Sequence, residues 1–72
     1  MNTYEQRVLQ TCAQAGRILL ESGAETPRIE ETVEIIGKTA GVNVSCYVTL
    51  TAVFVSLADQ PTTQLTKTKL GS

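Results

Sequence analysis

Seventy-two residues, 42% hydrophobic and 18% charged with a net charge of −1, describe one small folded domain and exclude a disordered chain. A chain this short buries only about 60% of the surface its unfolded form exposes, so a disulfide, a metal or a partner surface would help it. The near-neutral charge excludes the clustered lysine and arginine of a nucleic-acid binder.

Nor does any segment have the make-up of a basic helix that lies on a membrane. A spanning helix needs ~20 mostly apolar residues, and the longest uninterrupted apolar run is Ala52–Val55. No direct membrane insertion by this segment is expected. The N-terminus also lacks the basic start, apolar run and cleavage site of a secretory signal. Two cysteines, Cys12 and Cys46, have no motif around them and are expected to be small buried hydrophobes rather than a disulfide.

In chain order, the spacing predicts a helix from about Thr3 to Glu21. Val8, Cys12, Ala15 and Leu19 form one apolar stripe, and Leu9, Ala13, Gly16 and Leu20 form the next. Arg7, Gln10, Gln14, Arg17 and Glu21 share the opposite face, so the helix is amphipathic with a broad apolar side. Gly23 is expected to end it in the left-handed conformation.

Thr26-Pro27 then predicts a second start, threonine as the cap and proline at the first helical position. Ile29, Val33, Ile36 and Ala40 share a face, Glu30 and Glu31 are placed in the first turn beside the helix dipole, and Gly41 closes the helix. Gly16 and Gly37 inside helices each cost roughly 1 kcal/mol relative to alanine. Close approach of the two helix backbones is one explanation for them; sequence habit is the other.

From Val42 the period becomes two. Val42, Val44, Cys46, Val48 and Leu50 are apolar at even positions, then Val53, Val55 and Leu57 at odd ones. The phase change near Thr51 predicts either a hairpin turn or one bent strand at Thr49–Ala52, because a one-residue slip moves side chains to the other face. A clearer turn is expected at Ala58-Asp59-Gln60-Pro61. Thr62 to Leu70 is expected as a third strand, its Lys67 and Lys69 suiting an exposed edge. The fold class is therefore α+β: two N-terminal helices followed by a small antiparallel sheet of two or three strands, as a single soluble domain over residues 1–72. The uncovered side of the first helix calls for a further partner, either copies of the chain or more of a longer protein.

With no histidine in the sequence, Ser-His-Asp and Cys-His catalysis and most zinc and iron sites are excluded. No P-loop, dinucleotide-binding or EF-hand pattern occurs, and no cofactor or metal is expected. The one polar concentration is the helix–helix corner: Glu21, Ser22, Gly23, Glu25, Thr26, Arg28, Glu30 and Glu31. It is either a functional surface, binding a zwitterionic or cationic solute or docking on another domain, or a solvated capped corner. In the second case Arg17 pairs with Glu21 and Arg28 with Glu31. The many threonines suit strands better than catalysis, and a hydroxyl without a base is a poor nucleophile. Tyr47 and Phe54 are expected as core or sheet-face aromatics.

The segments Gly16-Arg17-Ile18-Leu19-Leu20-Glu21-Ser22-Gly23-Ala24-Glu25-Thr26 and Arg28-Ile29-Glu30-Glu31-Thr32 closely resemble the signature of the threonine/serine exporter family. Tyr47 to Leu57 is similar to that family's following β segment. The chain departs from the pattern at Pro27, where an aromatic is usual, and at Leu50 and Ala52, where proline and glycine are more common. The resemblance implies a non-catalytic cytoplasmic N-terminal domain with a gating, assembly or support role in a small amino-acid or organic-acid exporter. The transmembrane region is expected to lie outside these 72 residues. Its implied partners are the transmembrane helices of the parent exporter or of a companion permease. A free-standing module that self-associates through the first helix, as a homo-oligomer, is the alternative.

Overall fold

The computed structural model describes residues 2–58. Helix α1 spans Thr3–Glu21, α2 spans Thr26–Thr39, and strands β1 (Val44–Val48) and β2 (Val53–Leu57) form a two-stranded antiparallel sheet. This is the α+β order expected. The predicted third strand at Thr62 to Leu70, and the turn after Ala58, lie outside the described residues.

Local chemistry sets each boundary. Asn2 opens α1 with a capping box: its Oδ1 accepts from the Glu5 N–H at 2.7 Å, and Glu5 Oε1 accepts from the Asn2 N–H at 3.3 Å. Two otherwise orphaned donors are thereby satisfied. At the far end the Gly23 N–H donates to the Leu20 carbonyl and the Ala24 N–H to that of Leu19, both at 3.1 Å. This double closure requires a left-handed residue, which Gly23 supplies at φ +86°. Gly41, at φ +80°, closes α2 the same way, with Gly41 and Val42 donating to Lys38 and Gly37.

The start of α2 differs from expectation by one residue. Glu25 is the N-cap, with no side-chain cap hydrogen bond, and Thr26 already lies in the helix, so Pro27 falls at the second position. The missing proline N–H costs nothing there, because that donor also lacks an intrahelical acceptor. The same shift leaves the first turn without an acidic residue, so Glu30 and Glu31 do not face the helix dipole as predicted.

Between the strands the chain makes a hairpin, resolving the alternative at Thr49–Ala52. The register pairs Val44 with Leu57, Cys46 with Val55 and Val48 with Val53. The turn has no residue at positive φ, which explains the missing glycine and asparagine. Thr49 closes it instead: its N–H donates to the Ala52 carbonyl at 2.9 Å, and its Oγ1 accepts from the Ala52 N–H at 3.1 Å and the Thr51 N–H at 3.4 Å.

The two helices cover one face of the sheet, α2 over β1 and α1 over β2. Val8, Cys12, Ile29, Val33, Val42, Val44, Cys46, Val48 and Leu57 form the core. Leu50, assigned by alternation to the buried set, is 93% exposed at the hairpin tip; the turn ends the alternation two residues earlier. The helix-interior glycines admit the strands. A Cβ on Gly37 would lie 2.8 Å from Val44 Cβ and 3.1 Å from the Val42 carbonyl oxygen, and one on Gly16 would lie 2.8 Å from Val53 Cγ1. Sheet against helix, rather than helix against helix, is the main close approach.

Candidate functional site

The predicted corner is built by the end of α1, a short link and the first two turns of α2. Its side chains point to different tasks. Glu21 accepts an ion pair from Arg17 at 3.6 Å, both side chains largely exposed, an arrangement worth little in stability. Ser22 Oγ donates to the Ile18 carbonyl at 2.7 Å, and Gly23 supplies the left-handed cap. Glu25, Arg28 and Glu31 are exposed, and Thr26 is half-buried. Among the described residues Arg17–Glu21 is the one ion pair, so the predicted Arg28–Glu31 pair does not form.

Glu30 leaves the corner altogether. Its Oε2 accepts the Val48 N–H at 3.0 Å. One helical turn on, Glu34 Oε2 accepts the Cys46 N–H at 3.2 Å. Glu34 was not among the predicted site residues. The signal for it was present: Glu30 follows Ile29 and Glu34 follows Val33, so both carboxylates flank the buried stripe of α2 at a four-residue spacing. What the sequence could not supply was the strand on that flank. The two glutamates meet the backbone donors of β1 that point away from β2, fastening an edge that would otherwise be open.

That arrangement bears on the cysteines. Cys12 is fully buried, its thiol directed at the Val33 carbonyl oxygen at 3.7 Å. Burial pushes the Cys12 thiol up from its ordinary 9.0. Cys46 is raised to about 11, first by burial and then by the negative charges of Glu30 and Glu34, with a smaller effect of Cys12. Both thiols therefore stay protonated near neutrality, the opposite of an activated nucleophile. Both are core hydrophobes, as expected.

A groove of about 570 Å³ runs between α1 and the hairpin turn, with Ala13, Arg17, Leu20, Leu50 and Val53 in its lining. On the sheet face away from the helices, Tyr47 and Phe54 stand as a cross-strand pair with ring centroids 6.2 Å apart. They are 64% and 40% exposed, so they are sheet-face and not core aromatics. Among the described residues no cluster of three or more histidine, cysteine or acidic side chains could hold a metal ion. Among the same residues no helix is long and apolar enough to cross a membrane.

No curated protein and no solved structure matches the chain. The family model ThrE, described as "Putative threonine/serine exporter", matches residues 10–71. The match contains the whole corner, most of α1, all of α2 and both strands, and it agrees with the resemblance carried by the corner and β segments. The chain belongs to the threonine/serine exporter family.

Proposed function

We propose that this chain is an accessory lobe of an exporter of threonine, serine or a similarly small amino or organic acid. In this reading it is a cytoplasmic N-terminal domain that gates, assembles or supports a bundle of membrane helices, of the same protein or of a companion permease. Membership of an exporter family carries the reading, taken together with two helices neither of which is both long and apolar enough to span lipid. Any path for a polar solute must run through elements that satisfy their backbone inside the bilayer, and α1 and α2 do not qualify. The lobe does no chemistry itself: its thiols are buried and held protonated, and Glu30 is committed to the backbone of β1.

The surface that acts is the exposed part of the corner, Glu25, Arg28 and Glu31 with Glu21 beside them. Among the described residues Arg17–Glu21 is the one ion pair these charges make, which leaves Glu25, Arg28 and Glu31 as candidates for contact with a partner. Grafted into a full-length relative, Glu25→Ala or Arg28→Ala should lower solute efflux without lowering the amount of protein in the membrane. Normal efflux from both variants removes the corner from the mechanism.

A further inference from the structure

Charge is spread unevenly over this fold. From Asn2 to Ala58 every charged side chain lies on α1, on α2 or on the link between them, and none occurs from Thr39 to Ala58. The hairpin is therefore an uncharged layer, and its apolarity is graded along its length. Leu50 projects from the tip, 93% exposed. On the face away from the helices Tyr47 and Phe54 pair two rungs behind the closing Thr49–Ala52 pair, and Ser45 and Ser56 pair two rungs further back. At about 3.3 Å per rung, the aromatics stand ~7 Å behind the closing pair and the serines ~13 Å. The turn also meets donors of its own: the N–H groups of Thr49, Thr51 and Ala52 all donate within it. Internal bonding of this kind lowers the cost of taking a turn out of bulk water. The exposed Ile18 and Ile35 are placed differently, since each follows a charged residue on its helix, Arg17 and Glu34.

We propose that the hairpin tip is a membrane-contact site whose partner is a zwitterionic lipid surface, with Leu50 as its anchor. An apolar tip, then aromatic rings, then hydroxyls is the order of polarity met in passing outward from the acyl boundary through the headgroups. A protein docked on the sheet would cover that face evenly and would give no reason for the gradient to start at the tip. Resting at the interface asks far less than spanning, for which α1 and α2 do not qualify. Leu20 and Glu21 line one groove with Leu50 and Thr51, so the corner stands at the same end of the molecule as the tip. With Arg17 paired to Glu21, the corner presents Glu25 and Glu31 against Arg28, which makes an anionic surface the worse partner. Contact at the tip turns the corner towards the bilayer; that consequence, and not the contact itself, rests on the exporter reading.

NMR of the full 72-residue chain with phosphatidylcholine nanodiscs, a fraction of their lipids carrying a gadolinium chelate, tests the contact. Relaxation enhancement should be strongest at the amides of Leu50 and Thr51, weaker at Tyr47 and Phe54, and absent at Lys38. Leu50→Ser should cut the enhancement at Thr51 at least threefold, whereas Leu50→Trp should keep it; at so exposed a position neither change disturbs the core. Replacing a third of the lipid by phosphatidylglycerol should not raise it. No enhancement at the tip of the wild-type chain overturns the proposal, as does a Leu50→Ser chain that matches wild type. Enhancement at Ile18 or Ile35 equal to that at the tip overturns it in favour of indiscriminate adhesion. Shifts of Tyr47 and Phe54 on concentrating the chain without lipid, with no enhancement on adding it, overturn it in favour of a second copy. The readout does not involve efflux, so this contact can fail while the role of the corner stands, and the reverse.

Discussion

Gly37 shows how a single position can serve the helix poorly and the fold well. Alanine there would favour the helix by about 1 kcal/mol. Its Cβ would, however, meet the Val44 side chain near its own Cβ and the Val42 carbonyl oxygen, neither of which can rotate away. Overpacking of this kind costs about 1–3 kcal/mol. Gly37→Ala should therefore lower the urea midpoint, and by more than Gly16→Ala, whose nearest obstacle is the terminal methyl Cγ1 of Val53. Equal or raised stability of Gly37→Ala would mean that β1 is not seated on α2 as described. Cys46 makes a second residue-scale case. Its folded-state pKa is raised from 9.0 to about 11, so the folded chain resists losing that proton. The contribution is fully present below about pH 9 and is lost as pH rises through about 11. Thermal melts should show stability falling across that window. Cys46→Val, which has no proton to lose, should flatten the fall.

The helices and strands depend on side-chain-to-backbone bonds more than their lengths suggest. Asn2 and Glu5 start α1, Thr49 closes the hairpin, and Tyr4 on α1 donates its hydroxyl to the Ala40 carbonyl at the end of α2, at 2.6 Å. The pair Glu30 and Glu34 is the most consequential, because it joins a helix to a strand across 18 and 12 residues of chain. Each bond is part-buried and charge-assisted, worth on the order of 1 kcal/mol. Glu30→Ala should speed exchange of the Val48 N–H and leave Cys46 nearly unchanged, and Glu34→Ala should do the reverse. Glutamine at either position keeps an acceptor and should lose less. Identical exchange patterns for the two alanine variants would sink the one-to-one assignment.

At the scale of the whole molecule, the described residues form two layers, with the helices on one face of a hairpin and no described element over the Tyr47–Phe54 face. One layer of core in so short a chain leaves little reserve of stability. Such a lobe suits support by surrounding structure, in keeping with the role proposed for it beside a membrane bundle. The efflux test of the corner belongs to this scale, since the side chains of Glu25 and Arg28 make no hydrogen bond or ion pair with another described residue.

The periodicities of residues 3–57 were enough to place both helices, to find the even-then-odd switch of the strands, and to mark Gly23 and Gly41 as helix ends. Those signals are local: 3.6-residue and two-residue repeats, and a backbone angle that glycine adopts without strain. The corner signature likewise pointed to the exporter family from contiguous residues alone. What needed the tertiary structure was everything set by contact between elements far apart in sequence. Glu30 looked like a helix-start acid and is a strand fastener, and Glu34 beside it does the same for Cys46. Gly16 and Gly37 were open to two explanations, close approach of the helices or sequence habit, and are seats for Val53 and Val44. The physical reason is common to them all. A repeat reports which face of an element is apolar, but only the packed arrangement decides which neighbour's backbone or methyl group lies against a given flank.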